Sequence, residues 1–182
     1  MIYKILDRLI NISIRKLYKY KIKKKYKIQN TINIYGKVQL DNPSIIFGNN
    51  VSIYSGVQIW GDGQIILGDN VAIGKDTIIF AHKSMYIGSD TSIAGQCYII
   101  DSDHGIKRSS LIREQELESE AIYIGKDVWI SAGCKVLKGS YISDGSVIGA
   151  MSLVKGFTEP YSVNVGIPIK KIKDRKWENE YV

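Results

Sequence analysis

The sequence predicts an all-β protein, a parallel β-solenoid of about five triangular coils, and three observations predict it. An aliphatic residue returns every six positions, at Phe47, Ile53 and Ile59, at Leu67, Ile73 and Ile79, and at Ile87, Ile93 and Ile99. The same spacing resumes after an interruption, at Ile124, Ile130, Val136, Ile142, Ile148 and Val154. Glycine recurs directly after the aliphatic in IFGNNV, ILGDNV, AIGKDT, YIGSDT, YIGKDV and VIGAMS, where a turn favours a residue tolerating positive φ. A period of six suits neither a lone amphipathic helix nor a hairpin sheet, whereas hexapeptide repeats stack short strands coil on coil.

Taken in chain order, residues 1–29 form a basic segment. Ile2, Ile5, Leu6 and Leu9 fall at helical spacing with Lys4, Arg8 and Arg15 among the polar positions, which predicts an amphipathic helix to about residue 20 and a Lys-rich connector after it. Residues 30–169 form the repeat domain. Its first segment, TINIYGKVQL, alternates apolar and polar residues and reads as an irregular opening coil.

Three hexads then complete each turn of a triangular prism. Phe47, Leu67, Ile87, Ile124 and Ile142 stack on one face, Ile53, Ile73, Ile93, Ile130 and Ile148 on the next, and Ile59, Ile79, Ile99, Val136 and Val154 on the third. Fifth positions are small or β-branched, as at Val51, Thr77, Thr91 and Ser146, which suits an inward site near a tight corner. Two extra residues follow the third hexad of the first two regular coils, Ile65 and Ile66, then Met85 and Tyr86. At the same corner of the next coil stands a longer polar loop, residues 104–121. The tail, 170–182, carries a short predicted helix.

Composition bounds the function. With 182 residues the chain holds one domain. Aliphatic runs fall far short of the ~18 residues that span a bilayer, and no apolar leader opens the chain, so a cytoplasmic protein is expected. Cys97 and Cys134, each fifth in its hexad, fall on one face in successive coils; a disulfide is permitted at the ~4.8 Å strand spacing, but a reducing compartment favours two buried thiols. Residues 1–27 carry ten Lys or Arg against Asp7 alone, a net charge of +9, so the rest carries −2 of the chain's +7. The basic character therefore belongs to the N-terminal segment. Without stacking aromatics interleaved among basic residues on the solenoid, nucleic acid is not an expected partner.

The repeats, DSDHG ahead of a loop, VWISAG, VIGAMSLV and the closing VGIPIKKIK together resemble the hexapeptide-repeat acyltransferases, in particular the sugar and polysaccharide O-acetyltransferases, over about residues 30–173. The resemblance implies a left-handed parallel β-helix, a homotrimer with active sites between subunits, and acetyl-CoA as co-substrate. It also implies a sugar or glycan acceptor.

His104, opening the loop, is the leading catalytic candidate, the alternative being a solvent-facing turn histidine. Imidazole titrates near neutrality and can take the proton of a sugar hydroxyl as that oxygen attacks a thioester, the role the resemblance gives to the matching histidine. Asp101 or Asp103 would orient the ring, or both are ordinary turn acids; strand alternation puts them on one side without choosing between them. His82, one coil earlier in the same third of the prism, is expected beside His104 as an acceptor-binding residue or a corner residue.

Trp129 matches a family aromatic near the acceptor pocket, or packs between subunits. Ala132 and Ala150, third in consecutive hexads of one face, match the positions where small side chains let backbone N–H groups reach the thioester. Lys155, Lys170 and Lys171 are candidates for the CoA phosphates. No metal is expected: a γ-class carbonic anhydrase, on a similar scaffold, needs three ligands that are typically all histidine, and this chain has two histidines. A β-helix nucleotidyltransferase would need a further α/β domain. N-acetylation of an amino sugar, and a solenoid scaffold docked to anionic membrane by its basic N-terminus, remain as alternatives.

Overall fold

The structure, a computed structural model, describes residues 2–176. Parallel strands of two to four residues stack into three sheets. The first face runs through Ile45–Phe47, Gln64–Leu67, Ser84–Ile87, Ile122–Ile124 and Tyr141–Ile142. The second runs from Ile32–Tyr35 through Val51–Tyr54, Ala72–Ile73, Ser92–Ile93, Trp129–Ile130 and Val147–Ile148 to Ser162–Val165. The third comprises Gln39–Leu40, Gln58–Trp60, Ile78–Phe80, Tyr98–Ile100, Lys135–Val136 and Leu153–Val154.

The register is the one the six-residue period predicts. Phe47 pairs with Leu67, Leu67 with Ile87, Ile87 with Ile124, and Ile124 with Ile142. The other two stacks pair in the same way from Ile53 to Ile148 and from Ile59 to Val154. Every one of these residues is buried. The second face holds seven parallel rungs, two more than the regular repeats supply, because the irregular segments Ile32–Tyr35 and Ser162–Val165 each add one.

Positive φ falls not on the glycine after the aliphatic but on the fourth residue of the hexad, at Asn50 (55°), Asp90 (62°) and Asp127 (51°), residue types whose short polar side chains tolerate the left-handed region. Glycine in the second place answers close approach instead. A Cβ on Gly48 would fall 2.5 Å from the carbonyl carbon of Gly68, and one on Gly88 2.5 Å from that of Gly125. The Asn and Asp residues link successive turns: the Asn33 side-chain amide donates to Asn50, Asn50 to Asn70, and Asn70 to Asp90.

The helix spans Ile2–Lys25 and includes the lysines expected in a connector. Lys23, Lys24 and Lys25 fill its last turn, where cations meet the carbonyl end of the dipole. Lys27 adopts φ 52° and the Ile28 N–H returns to the Lys23 carbonyl at 2.9 Å, which closes the helix. Its C-terminal half and the residues that follow it cap the solenoid: Ile22 enters the core, Tyr18 and Ile28 pack against it, and the Tyr26 hydroxyl donates to the carbonyls of Leu40 (2.9 Å) and Asn42 (2.5 Å).

At the other end, Lys170–Asp174 forms an antiparallel strand on Ser162–Val165, so this part of the tail is extended rather than helical. The neighbouring edge offers free backbone groups that a strand can satisfy. The rest of the expected helix lies outside the described residues. Both cysteines are buried free thiols. The Cys97 sulfur donates to the Ser131 carbonyl, and its contact with Cys134, then burial, raises its pKa.

Candidate active site

The corner between the third face and the first face of the next turn departs from the repeat, and it collects both histidines. It carries the two-residue extensions in the early turns and the polar insertion after Ile99. The insertion is an ordered hairpin. Ser102–His104 leaves the solenoid and pairs antiparallel with Leu117–Ser119, with His104 opposite Leu117, and a 3-10 turn at Ile112–Glu114 lies between them. Gln115 fastens the tip through Lys107 N–H and the carbonyls of Lys107 and Ser110.

Asp101 has a structural position that strand alternation could not reveal. Its side chain is fully buried, and its carboxylate accepts from the backbone N–H groups of His82 (2.7 Å), Lys83 (2.8 Å) and Ser84 (2.9 Å). It therefore fixes the turn that carries His82. Asp103 points to Lys138, whose ammonium lies 3.4 Å from Asp103 and 3.2 Å from Glu118. Desolvation opposes the charge on Lys138, but the two carboxylates outweigh it and raise its pKa. That triad clasps both strands of the hairpin to the next turn.

His104 is exposed at the base of the hairpin. Among the described residues no carboxylate ion-pairs with it, whereas His82 has one: its Nδ1 lies 3.2 Å from Oδ1 of Asp62. Asp62 was not among the sequence candidates. The signal was available, because Asp62 and His82 both occupy the fourth place of third-face hexads in consecutive turns. A carboxylate on Nδ1 favours the Nδ1–H tautomer and leaves Nε2 as an acceptor.

The remaining candidates lie elsewhere on the prism. Trp129 is exposed on the second face, between Ser92 and Val147 in register, and lines an open cavity of about 470 Å³ with Asp90, Asp127 and Arg175. Ala132 and Ala150 are exposed and stacked at the corner between the second and third faces, with the Met151 N–H donating to the Ala132 carbonyl. Lys155 and Lys170 are exposed. Lys171 is already paired with Glu159 (2.5 Å) and Asp174 (2.8 Å). A single chain thus places His82, with Asp62 on its ring, and His104 at one corner, and the alanine corner and Trp129 elsewhere. Among the described residues no cluster of three or more His, Cys, Asp or Glu forms a metal site.

No protein-family model matches the chain. Among curated relatives, the putative lipopolysaccharide biosynthesis O-acetyl transferase WbbJ of Escherichia coli is 35% identical over 147 residues, 75% of this chain and 75% of that protein. A dTDP-4-amino-4,6-dideoxy-D-glucose acyltransferase, also of Escherichia coli, is 32% identical over 155 residues, 70% of this chain and 81% of that protein. A probable acetyltransferase of Mycobacterium tuberculosis is 36% identical over 120 residues, but the chain spans 40% of its length. The chain belongs to the hexapeptide-repeat acyltransferase family, with its left-handed parallel β-helix. Among solved structures, AntD, an N-acyltransferase from Bacillus cereus in complex with dTDP-4-amino-4,6-dideoxyglucose and coenzyme A, shares the fold with TM-score 0.73 at 22% identity over 88% of this chain and 91% of its own.

Proposed function

We propose that the protein is an acetyl-CoA-dependent O-acetyltransferase acting on a sugar hydroxyl of a surface polysaccharide or its precursor. The observation that carries this reading is the single corner that holds His82 and the hairpin of His104, in a chain whose relatives include a putative lipopolysaccharide biosynthesis O-acetyl transferase and a dTDP-4-amino-4,6-dideoxy-D-glucose acyltransferase. His104 is the general base. It takes the hydroxyl proton as the oxygen attacks the thioester carbonyl, a tetrahedral oxyanion forms, and collapse expels the CoA thiolate, which regains a proton from the imidazolium. His82, held by Asp62, presents Nε2 to the acceptor and orients it. Asp101 holds the His82 turn in place, and Asp103 with Lys138 holds the hairpin.

The donor runs along the Ala132 and Ala150 corner, where small side chains leave backbone N–H groups accessible to the thioester. Lys155 and Lys170 serve its phosphates. Because that corner and the histidine corner lie apart in one chain, the complete site needs a second subunit, and a homotrimer with three such sites is the assembly that closes the ring. The donor's supply sets the enzyme in the cytoplasm.

N-acylation of an amino sugar is the second reading. Two specific likenesses favour it, the dTDP-4-amino-4,6-dideoxy-D-glucose acyltransferase and AntD. The same base and donor path serve an amine. Mass spectrometry of nucleotide-linked and lipid-linked sugars incubated with the protein and acetyl-CoA decides: acetylation of neutral sugars supports the first reading, acetylation confined to amino sugars the second, and acetylation of neither refutes both.

A further inference from the structure

The N-terminal helix has two faces with different fates, and the solenoid uses one. Tyr18, Ile22 and Tyr26, spaced by four, turn toward the end of the prism, and Arg15 lies over the Tyr35 ring at 5.7 Å. On another face Tyr3, Leu6, Ile10, Leu17 and Tyr20 recur at intervals of three, four, seven and three, and Leu9 broadens the line. These side chains are 48 to 83% exposed. At 100° per residue they fall in an arc of about 120° whose centre lies roughly 160° from Ile22, with Tyr3 and Ile10 at the edge nearest Tyr18. Lys24 continues the stripe, Lys16 and Lys21 border it, and all three are exposed.

We propose that this stripe is a docking surface for an anionic lipid bilayer, on which the helix lies in the interface plane. Charge decides the occupant. A stripe of this spacing could also pair with the same stripe of a second copy, in the manner of a coiled coil. Such pairing would bring together segments of +9 each, and the flanking residues Lys16, Lys21 and Lys23 would face like charges rather than acids. An anionic surface meets the same segment with opposite charge while its apolar side chains enter the acyl boundary. No helix among the described residues is long and apolar enough to cross a membrane, so docking rather than spanning is the geometry available. The cap and the membrane therefore use different faces of one helix. The proposal does not depend on acyl transfer.

Sedimentation of the full-length protein with vesicles tests it. Wild type should partition onto phosphatidylglycerol vesicles at low salt, leave them at high salt, and ignore pure phosphatidylcholine. The Leu6→Asn, Ile10→Asn, Leu17→Asn triple variant should bind at least tenfold more weakly, with unchanged melting temperature and unchanged mass by light scattering. The Lys16→Glu, Lys21→Glu, Lys24→Glu variant should lose binding in the same way. Failure of wild type to bind phosphatidylglycerol at low salt would overturn the proposal, and so would equal binding to both lipids. A lower oligomeric mass in the asparagine variant would assign the stripe to contacts between copies instead.

Discussion

Asp62 and His82, twenty residues apart in sequence, meet across one rung of the solenoid with 3.2 Å between Oδ1 and Nδ1. The backbone N–H of the same histidine is held from the following rung by Asp101 at 2.7 Å. One histidine is thus held by carboxylates from the turns on either side, its ring by Asp62 and its backbone by Asp101, while His104 stands exposed on the hairpin. The two histidines accordingly predict different mutational signatures.

Replacing Asp62 with Asn frees the tautomer of His82 without removing the ring. We expect kcat/KM for the acceptor to fall about 3- to 30-fold, the worth of one or two hydrogen bonds, with no change in CoA affinity. Initial rates at varied acceptor and a calorimetric CoA titration check it, and equal rates would leave His82 a corner residue.

Asp101→Ala should act on stability. It strips three backbone N–H groups of a buried acceptor, at a cost of about 2–4 kcal/mol, which in a chain of this size lowers Tm by roughly 5–15 °C. A thermal melt reads the shift. An unchanged Tm with lost turnover would return Asp101 to the chemistry.

Much of this was legible from spacing. The six-residue period gives the three stacks, their register and their burial, because a strand rung admits one inward side chain at each repeat position. It also brings His82 into the same third of the prism as His104. Spacing could not tell what a side chain reaches for. Asp101 and Asp103 are equivalent under strand alternation, yet one turns inward to orphan N–H groups and the other outward to Lys138. The Lys170–Asp174 strand was likewise hidden, since its partner edge exists only once the solenoid is built. The glycine positions were visible but the reason for them was not: contact between turns is long-range information.

The cap gives a pH dependence. Burial, and then the charge of Asp41, raise the Tyr26 pKa from 10.0 to about 12. A raised folded-state value means that its contribution is complete below pH 10 and is lost as pH climbs through 12. The phenolate cannot donate to the Leu40 and Asn42 carbonyls, so proteolysis within the helix should accelerate over that window. Tyr26→Phe should be more susceptible at neutral pH and show a smaller step.

Ala132→Leu and Ala150→Leu should weaken acetyl-CoA binding far more than they lower Tm, because both side chains are exposed and their Cβ atoms border the proposed donor path. Calorimetry and melts separate the two effects. Unchanged affinity in both variants would move the donor elsewhere.

The central claim is general-base acyl transfer from the histidine corner, and His104→Ala tests it most directly. Release of CoA thiol and gain of one acetyl mass by the acceptor should fall by about 10² to 10⁴ in kcat, while acetyl-CoA binding stays at the wild-type level. Turnover within a few-fold of wild type, with CoA still bound, would contradict it.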